Sequence, residues 1–335
     1  MSFQNDFDFV AIGDITTDAF IRLSGDDAVV KKDDGGRKSN LCLSFGDKIE
    51  YDSVTEVPAV GNSPNASVCA RRLGLKSALV TNLGDDYNGK KIIGTLDKEG
   101  VSANFIKIHT GKKSNYHYVL WYEEERTILV KHYKYDYELP NVGKPKWIYL
   151  SSLGENSLQY HHKITKYVKD HPEINLAFQP GTFQIRLGSE KLKDIYEVCK
   201  LFFCNKQEAQ KILKTDEKSL KKLLEIMRAL GPKIVVITDG PKGAYAYDGK
   251  EMWQMPMYPD SAPPIDRTGA GDSFSATITS ALALGKTLPE ALLMGPVNSM
   301  SVVQHIGARE GLLTREKLEK YLSAAPKNYK LTKFK

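Results

Sequence analysis

Residues 265–284 combine residue types that could bind a charged group and react with it. They read IDRTGAGDSFSATITSALAL, in which Gly269, Ala270 and Gly271 precede a run of small and apolar residues typical of a buried helix. The first N–H groups of a helix have no intrahelical partner, and the helix dipole adds about half a positive charge there. The sequence therefore predicts an anion-binding turn at 269–271, suited to a phosphoryl group in transfer.

Asp272 comes next, in the first turn of the predicted helix. A carboxylate beside this positive end stays ionised and can accept a proton from an attacking hydroxyl. We therefore interpret Asp272 as the general base of a phosphoryl transfer, and Gly269, Ala270 and Gly271 as its anion hole. The alternative is that GAGD only begins a helix, with a favourable acidic residue in its first turn.

The elements around this segment alternate. Short runs typical of buried strands are followed by helix-patterned stretches, which predicts an α/β fold with three layers, a mainly parallel sheet covered by helices on both faces. Strands are predicted at 7–13, 77–83, 147–151, 175–178, 201–204 and 234–238, and helices at 66–73 and 88–99.

Two segments, 19–56 and 104–137, break this alternation with apolar residues at period two. We expect antiparallel strands in each segment and a small β lid formed where the two segments pair with each other, with 1–18, 57–103 and 138–335 forming the α/β domain. The polar residues 26–38 predict a mobile loop at the lid edge. Lid-strand packing is expected for the aromatic residues Tyr116, Tyr118, Trp121 and Tyr122.

Charge and composition argue against several classes of protein. The chain has 335 residues with 47 Lys+Arg against 41 Asp+Glu, and its basic residues alternate with acids instead of forming a basic stripe, so no nucleic-acid partner is expected. It has no run of about 18 apolar residues and begins with acids where a signal peptide is basic, so we expect no membrane association.

The metal-binding residue types also lack the spacing of a metal site. The four cysteines show no CxxC pair, which argues against zinc or a disulfide framework and favours the cytoplasm. His161 and His162 begin a predicted helix without ligand partners, so we expect both at the surface.

Residues 266–272, DRTGAGD, closely resemble the DTxGAGD signature of the ribokinase-like (PfkB) carbohydrate and nucleoside kinase family. Further segments are similar to family motifs and occur in the family's order: GDITTD at 13–18, GNSPN at 61–65, GDDYNG at 84–89, NKQE at 205–208 and TDGPKG at 238–243. This resemblance extends across nearly the whole chain.

The resemblance implies ATP and Mg²⁺ as cofactors and assigns roles to individual residues. Acceptor binding is implied for Asp18, Gly61, Asn62 and Asn65, and nucleotide binding for Asn205, Thr238, Gly240, Gly243 and Asn298. Glu208 is implied to hold Mg²⁺ through water, and Asp266 and Thr268 a monovalent cation such as K⁺.

Two positions and one short segment depart from the family pattern. Arg267 replaces a common Thr beside the implied cation site, Asn62 replaces the second Gly of a Gly-Gly pair, and residues 178–181 (FQPG) stand where sugar kinases often carry DxN. These departures point away from a standard ribokinase or fructokinase.

We therefore expect an ATP-dependent kinase that transfers the γ-phosphoryl group to a hydroxyl of a sugar or sugar-like acceptor, with the lid excluding water. A nucleoside kinase is the alternative, favoured if Asn62 and the tyrosines of the lid leave room for a base. A non-catalytic nucleotide- or sugar-binding protein on the same fold is a more distant one. Exposed lid strands predict a homodimer.

Overall fold

The computed structural model describes residues 7–25, 28–32, 39–123 and 125–334. The strands are β1 Phe9–Ile12, β2 Thr16–Leu23, β3 Ala28–Lys32, β4 Ser39–Leu43, β5 Tyr51–Val60, β6 Ser77–Gly84, β7 Ile106–His109, β8 Asn115–Tyr122, β9 Glu125–Leu129, β10 Trp147–Leu150, β11 Asn175–Phe178, β12 Cys199–Asn205, β13 Ile234–Thr238, β14 Ala244–Tyr247, β15 Met252–Met255 and β16 Thr332–Lys333. The helices are α1 Asn62–Arg72, α2 Tyr87–Lys98, α3 Leu158–Asp170, α4 Thr182–Leu187, α5 Lys193–Val198, α6 Lys206–Leu213, α7 Leu220–Ala229, α8 Ala270–Ala283, α9 Leu288–Val302 and α10 Arg315–Ser323.

A ten-stranded sheet forms the centre, in the order β16-β15-β14-β13-β12-β11-β10-β1-β6-β7. Pairing is parallel from β7 to β13 and antiparallel from β13 to β16. Phe9 and Ala11 pack with α1, α8 and α9 on one face, whereas Val10 and Ile12 pack with α3 and α7 on the other. This alternation on β1 explains the uninterrupted apolar run of that strand and confirms the predicted three-layer α/β fold.

The lid is a four-stranded sheet in the order β5-β2-β8-β9. The two predicted lid segments do pair with each other, but β2 runs parallel to β8, whereas β2–β5 and β8–β9 are antiparallel. The antiparallel strands expected within each segment are therefore confirmed, and the pairing between the two segments is parallel. The chain leaves the lid after β5, passes through α1, β6, α2 and β7, and returns at β8, and such a long connection permits parallel pairing.

Two further parts of these segments lie outside the four-stranded sheet. Strand β7 extends the central sheet beside β6, and β3 pairs with β4 in a separate hairpin. The loop predicted over 26–38 therefore contains β3, while 26–27 and 33–38 lie outside the described residues.

The histidine pair at the start of α3 divides between core and surface. His161 is fully buried and its Nδ1 lies 2.7 Å from the carbonyl oxygen of Ser157, whereas His162 is exposed and pairs with Asp194. Consecutive helical residues point about 100° apart, so one of the two can face the sheet. The expectation that both lie at the surface was wrong for His161.

The carboxyl ends of the parallel strands share one edge of the central sheet, where ligands of such folds usually bind. Helix α1 packs against α8 at this edge. No helix within the described ranges has the length and apolar character needed to cross a bilayer.

Candidate active site

The turn before α8 keeps its N–H groups open. Gly269 is the N-cap with a φ of 80°, and within the described residues no side chain caps the first N–H groups of α8. A Cβ at Gly269 would lie 2.2 Å from Cβ of Ala308, so a larger residue there is excluded by both φ and contact. A Cβ at Gly271 would meet no heavy atom within 4 Å. The turn therefore presents unpaired amides to open space, as an anion site requires.

Three side-chain amides hold the carboxylate of Asp272. Asn62 Nδ2 and Gln179 Nε2 donate to Oδ1 at 2.8 and 3.1 Å, and Asn65 Nδ2 donates to Oδ2 at 2.9 Å. Within the described residues, no Lys, Arg or His forms an ion pair with this carboxylate. Asp272 is thus fixed in direction by neutral amides, and no cation of the described residues neutralises its carboxylate.

The surroundings of Asp272 raise its pKa above the usual range. Desolvation is the largest cause, the hydrogen bonds from Asn65, Gln179 and Asn62 oppose it, and the negative charge of Asp18 adds to it. Asp272 nevertheless remains partly accessible to solvent. A reachable carboxylate with a raised pKa has the properties of a general base.

Gln179 had no predicted role, although it belongs to the FQPG segment that departs from the family pattern. Its Oε1 accepts hydrogen bonds from Tyr149 and, at 3.0 Å, from Ser275 Oγ. The amide nitrogen must therefore point toward Asp272. The available signal was its position directly after β11, at the carboxyl edge of the sheet.

Two of the four predicted acceptor residues contact Asp272. Asn62 and Asn65 contact it directly, and Gly61 has a φ of 128° before α1, where a Cβ would lie 2.8 Å from the carbonyl oxygen of Asp14. Asp18 on β2 is only 8% exposed, and its charge influences the pKa of Asp272. His117, whose Nδ1 is 3.3 Å from Asp18 Oδ1, was not predicted, although period two on β8 places it on the face of Asn115 and Val119.

A cavity of about 500 Å³ begins at the 269–271 turn. The predicted nucleotide residues Thr238, Gly240 and Gly243 line it, together with Ala270 and Gly271. Its other walls are largely apolar and include Phe274, Pro296, Met300 and Val303. Asn205 is the exposed N-cap of α6 and pairs in register with Thr238 at the same sheet edge.

Asn298, predicted to bind nucleotide, is instead a buried structural residue. Its Nδ2 donates to Thr277 Oγ1 at 2.8 Å, its Oδ1 accepts from the Leu313 amide at 2.9 Å, and its exposure is 0%. With its polar atoms occupied inside the protein, Asn298 cannot bind a ligand in the cavity. Ser299, the next residue on α9, lines the cavity in its place.

Glu208 and Asn205 form a capping box at the start of α6. The backbone N–H of Asn205 donates to Glu208 Oε2, and the backbone N–H of Glu208 donates to Asn205 Oδ1, both at 2.8 Å. Desolvation raises the pKa of Glu208. Within the described residues, no group of three or more His, Cys, Asp or Glu side chains could hold a metal unaided. A divalent cation here would depend on ligand and water oxygens.

The monovalent cation site predicted at Asp266 and Thr268 does not fit the side chains. Asp266 Oδ1 accepts from the amide and hydroxyl of Thr268 at 2.9 and 2.6 Å, and Oδ2 accepts from the Gly307 amide at 2.9 Å. Arg126 of β9 also places Nη1 3.6 Å from Asp266 Oδ1. A guanidinium thus lies where a cation would need this carboxylate, and K⁺ would compete with it.

Comparisons with known proteins identify the family and the fold. The model of the "pfkB family carbohydrate kinase" family matches residues 37–315. Ribokinase of Bacillus subtilis is 26% identical over 285 residues, covering 83% of this chain and 92% of the relative. Two solved structures share the fold: a Methanocaldococcus jannaschii nucleoside kinase (TM-score 0.79, 19% identity, 95% of this chain and 99% of the other) and Arabidopsis thaliana ribokinase complexed with ribose and ATP (TM-score 0.77, 18% identity, 95% and 99%). The chain belongs to the pfkB family of carbohydrate kinases, phosphotransferases with an alcohol group as acceptor.

Proposed function

We propose that this chain is an ATP-dependent kinase that transfers the γ-phosphoryl group to a hydroxyl of a sugar or sugar-like acceptor, with Asp272 as general base. The observation that carries the proposal is the carboxylate of Asp272, held by three neutral amides beside the open N–H groups of the 269–271 turn. Proton removal and charge stabilisation would then occur at one helix end.

Asp272 accepts the proton of the acceptor hydroxyl as its oxygen attacks the γ-phosphorus, and the bond from this phosphorus to the oxygen of the departing ADP breaks. Asn62, Asn65 and Gln179 hold the carboxylate in the direction needed for this step, and its raised pKa makes it a stronger base than an exposed Asp. The amides of Ala270 and Gly271, with the positive helix end, stabilise the negative charge of the transferred group.

ATP would occupy the cavity that begins at this turn. The backbone at Thr238, Gly240 and Gly243 permits close approach of the nucleotide. The apolar wall formed by Phe274 and Met300 suits a nucleobase. Asn205 lies at the same edge. The ribokinase of Arabidopsis thaliana, which shares this fold, was solved with ATP.

Mg²⁺ fits this arrangement as a cation held by phosphates and waters, with Glu208 orienting those waters from the start of α6. When bound, it neutralises phosphate charge. Glu208 is suited to this role because it is a carboxylate in a desolvated setting with one oxygen outside the capping box.

The second candidate function is a nucleoside kinase. The fold matches that of a nucleoside kinase at a TM-score of 0.79, against 0.77 for the ribose-bound ribokinase, so fold similarity does not separate the two. A sugar and a nucleoside share the hydroxyl-bearing ring that would lie against Asp18 and Asn65. They differ in whether the site also accommodates a base.

The deciding experiment is an acceptor panel with coupled detection of ADP. Ribose, fructose, adenosine, cytidine and inosine are supplied with ATP and Mg²⁺, and turnover of at least one acceptor is expected. Nucleotide binding without turnover of any acceptor would instead support a non-catalytic binding protein on the same fold.

A homodimer through the lid and a cytoplasmic location are further parts of the proposal. The lid exposes Tyr51, Val54, Tyr118, Leu129 and Val130 by 46–57%, which is a surface suited to a second copy. Light scattering should give a mass of two chains, reduced to one in Leu129→Lys but not in Ile226→Lys, which changes an exposed residue of α7. A monomeric wild type would contradict the dimer.

The four free cysteines support the proposed cytoplasmic location, because unpaired cysteines fit a reducing compartment.

A further inference from the structure

Two histidines lie beside two carboxylates on the lid side of the site. His132 Nδ1 is 3.1 Å from Asp14 Oδ2, and His117 Nδ1 is 3.3 Å from Asp18 Oδ1. The centroids of the two imidazole rings are 5.2 Å apart. We call Asp14, Asp18, His117 and His132 the histidine–aspartate cluster.

Strand pairing fixes where these side chains lie. Asp18 and His117 are register partners in the parallel pair β2–β8, so they occupy neighbouring positions on one face. Asn115 bonds to the Ile15 carbonyl at 3.1 Å and to the Tyr133 amide at 2.8 Å, which holds the chain next to His132 against the start of β2. Strand pairing and the hydrogen bonds of Asn115 therefore fix the positions of the cluster residues.

Two polar atoms in this cluster lack hydrogen-bond partners within the described residues. Asp18 is 8% exposed, yet its Oδ1 has no such partner, since His117 Nδ1 lies near it without forming a hydrogen bond, and Nε2 of the half-buried His117 has none either. Leaving buried polar groups unpaired is costly, and native proteins rarely do so. These atoms indicate a ligand that brings its own polar groups.

Asp14 differs from Asp18 because its own hydrogen bonds are satisfied. It accepts from the Tyr137 hydroxyl at 2.9 Å as well as from His132. A carboxylate that accepts the Nδ1 proton fixes the tautomer of a neutral imidazole and leaves Nε2 as an acceptor. Asp14 is thus a positioning residue for His132, and the cluster offers ligand-facing hydrogen-bond acceptors.

The negative charge of the site restricts the charge that an acceptor can carry. Asp14, Asp18 and Asp272 are three carboxylates, and the charge of Asp18 affects Asp272. Within the described part of the chain, no Lys or Arg forms an ion pair with any of the three, and the charged-type partners of Asp14 and Asp18 are histidines. An acceptor with a phosphate or carboxylate would meet like charge here.

We infer that the phosphoryl acceptor is an uncharged polyhydroxyl compound, a neutral sugar or the sugar of a nucleoside, whose hydroxyls donate to Asp18, His117 and His132. The site thereby discriminates against acceptors that carry a phosphate or carboxylate. This inference rests on the proposed kinase function and adds the charge class of its acceptor.

A paired acceptor panel tests it. Ribose, fructose, adenosine and cytidine form the neutral arm, and fructose 6-phosphate and 2-keto-3-deoxygluconate the anionic arm. The best neutral acceptor should exceed the best anionic one by at least about a hundredfold in kcat/KM. Preference for an anionic acceptor would overturn the inference but leave the kinase standing. Turnover of neither arm would overturn the proposed function and this inference with it.

Variants test the individual residues. His117→Gln and His132→Gln should raise the KM for the neutral acceptor at least about tenfold and change the KM for ATP less than about twofold. Asp14→Asn should match His132→Gln, and the double variant should be no worse than either single one, because both act through one imidazole. His162→Gln, an exposed histidine on α3, is the matched control.

An unchanged acceptor KM in both histidine variants, or additive losses for Asp14 and His132, would overturn the residue assignment. Thermal unfolding of each variant establishes that it is folded. If a Gln variant does not fold, the Asn variant at the same position is measured in its place.

Discussion

Asn65 Nδ2 donates a hydrogen bond of 2.9 Å to Asp272 Oδ2, joining two residues 207 positions apart in the sequence. The bond connects α1 to α8 where these helices pack together. A residue predicted to bind the acceptor thus orients the proposed base, so the proposed acceptor-binding and proton-removing residues are directly bonded.

Replacing Asn65 with Ala should therefore impair chemistry more than nucleotide binding. The loss of a hydrogen bond to a charged group corresponds to a decrease in kcat of about tenfold or more. Because this bond lowers the pKa of Asp272, its loss raises that pKa further, and the acid limb of the kcat–pH profile moves to higher pH. Asn40→Ala, at an exposed position of β4, is the control. An unmoved acid limb would argue against the assigned contact.

Asn298→Ala should affect stability and leave nucleotide affinity intact. The variant loses internal hydrogen bonds with Thr277 and Leu313, which should reduce the free energy of unfolding by about 1–3 kcal/mol in urea titrations. Its KM for ATP should stay within about twofold of wild type. A large rise in that KM at unchanged stability would restore the nucleotide role predicted from sequence.

His161 should make the protein less stable in mild acid. Burial lowers its pKa to about 4, below the value of about 6.5 in an unfolded chain. Between these values the unfolded state binds more protons, so stability falls as pH decreases through this window, by about 2 kcal/mol from pH 7 to pH 5. Comparing urea unfolding of wild type and His161→Asn at both pH values isolates this contribution, with His162→Asn as control. An equal pH dependence in wild type and His161→Asn would contradict it.

Turnover should not require a particular monovalent cation. Arg126 and three protein donors already occupy the carboxylate of Asp266, so exchanging K⁺ for Na⁺ or tetramethylammonium should change kcat less than about twofold. Initial rates at constant ionic strength measure this. Strong activation by K⁺ alone would show that the arginine yields to the cation during catalysis.

Features carried by local sequence were predictable. The 269–271 turn, the position of Asp272 in the first turn of α8 and the strands of the sheet follow from glycine, charge and apolar runs over a few residues. Gln179, His117 and Arg126 were missed because their places depend on strand order and register between distant segments.

The position of Asn298 in a helix could not be predicted from the local sequence either. Helix α9 is buried around most of its circumference, so its apolar pattern does not reveal which residue faces the cavity. Packing against Thr277 and Leu313 decides that Asn298 points inward and leaves Ser299 toward the cavity.

The central claim is that Asp272 removes the proton of the acceptor hydroxyl, and Asp272→Asn tests it most directly. With an acceptor identified by the panel, kcat should fall by about a hundredfold or more while ATP affinity measured by titration stays close to wild type. Asp216→Asn, at an exposed position before α7, should retain full activity. Wild-type turnover by purified, folded Asp272→Asn would contradict the account.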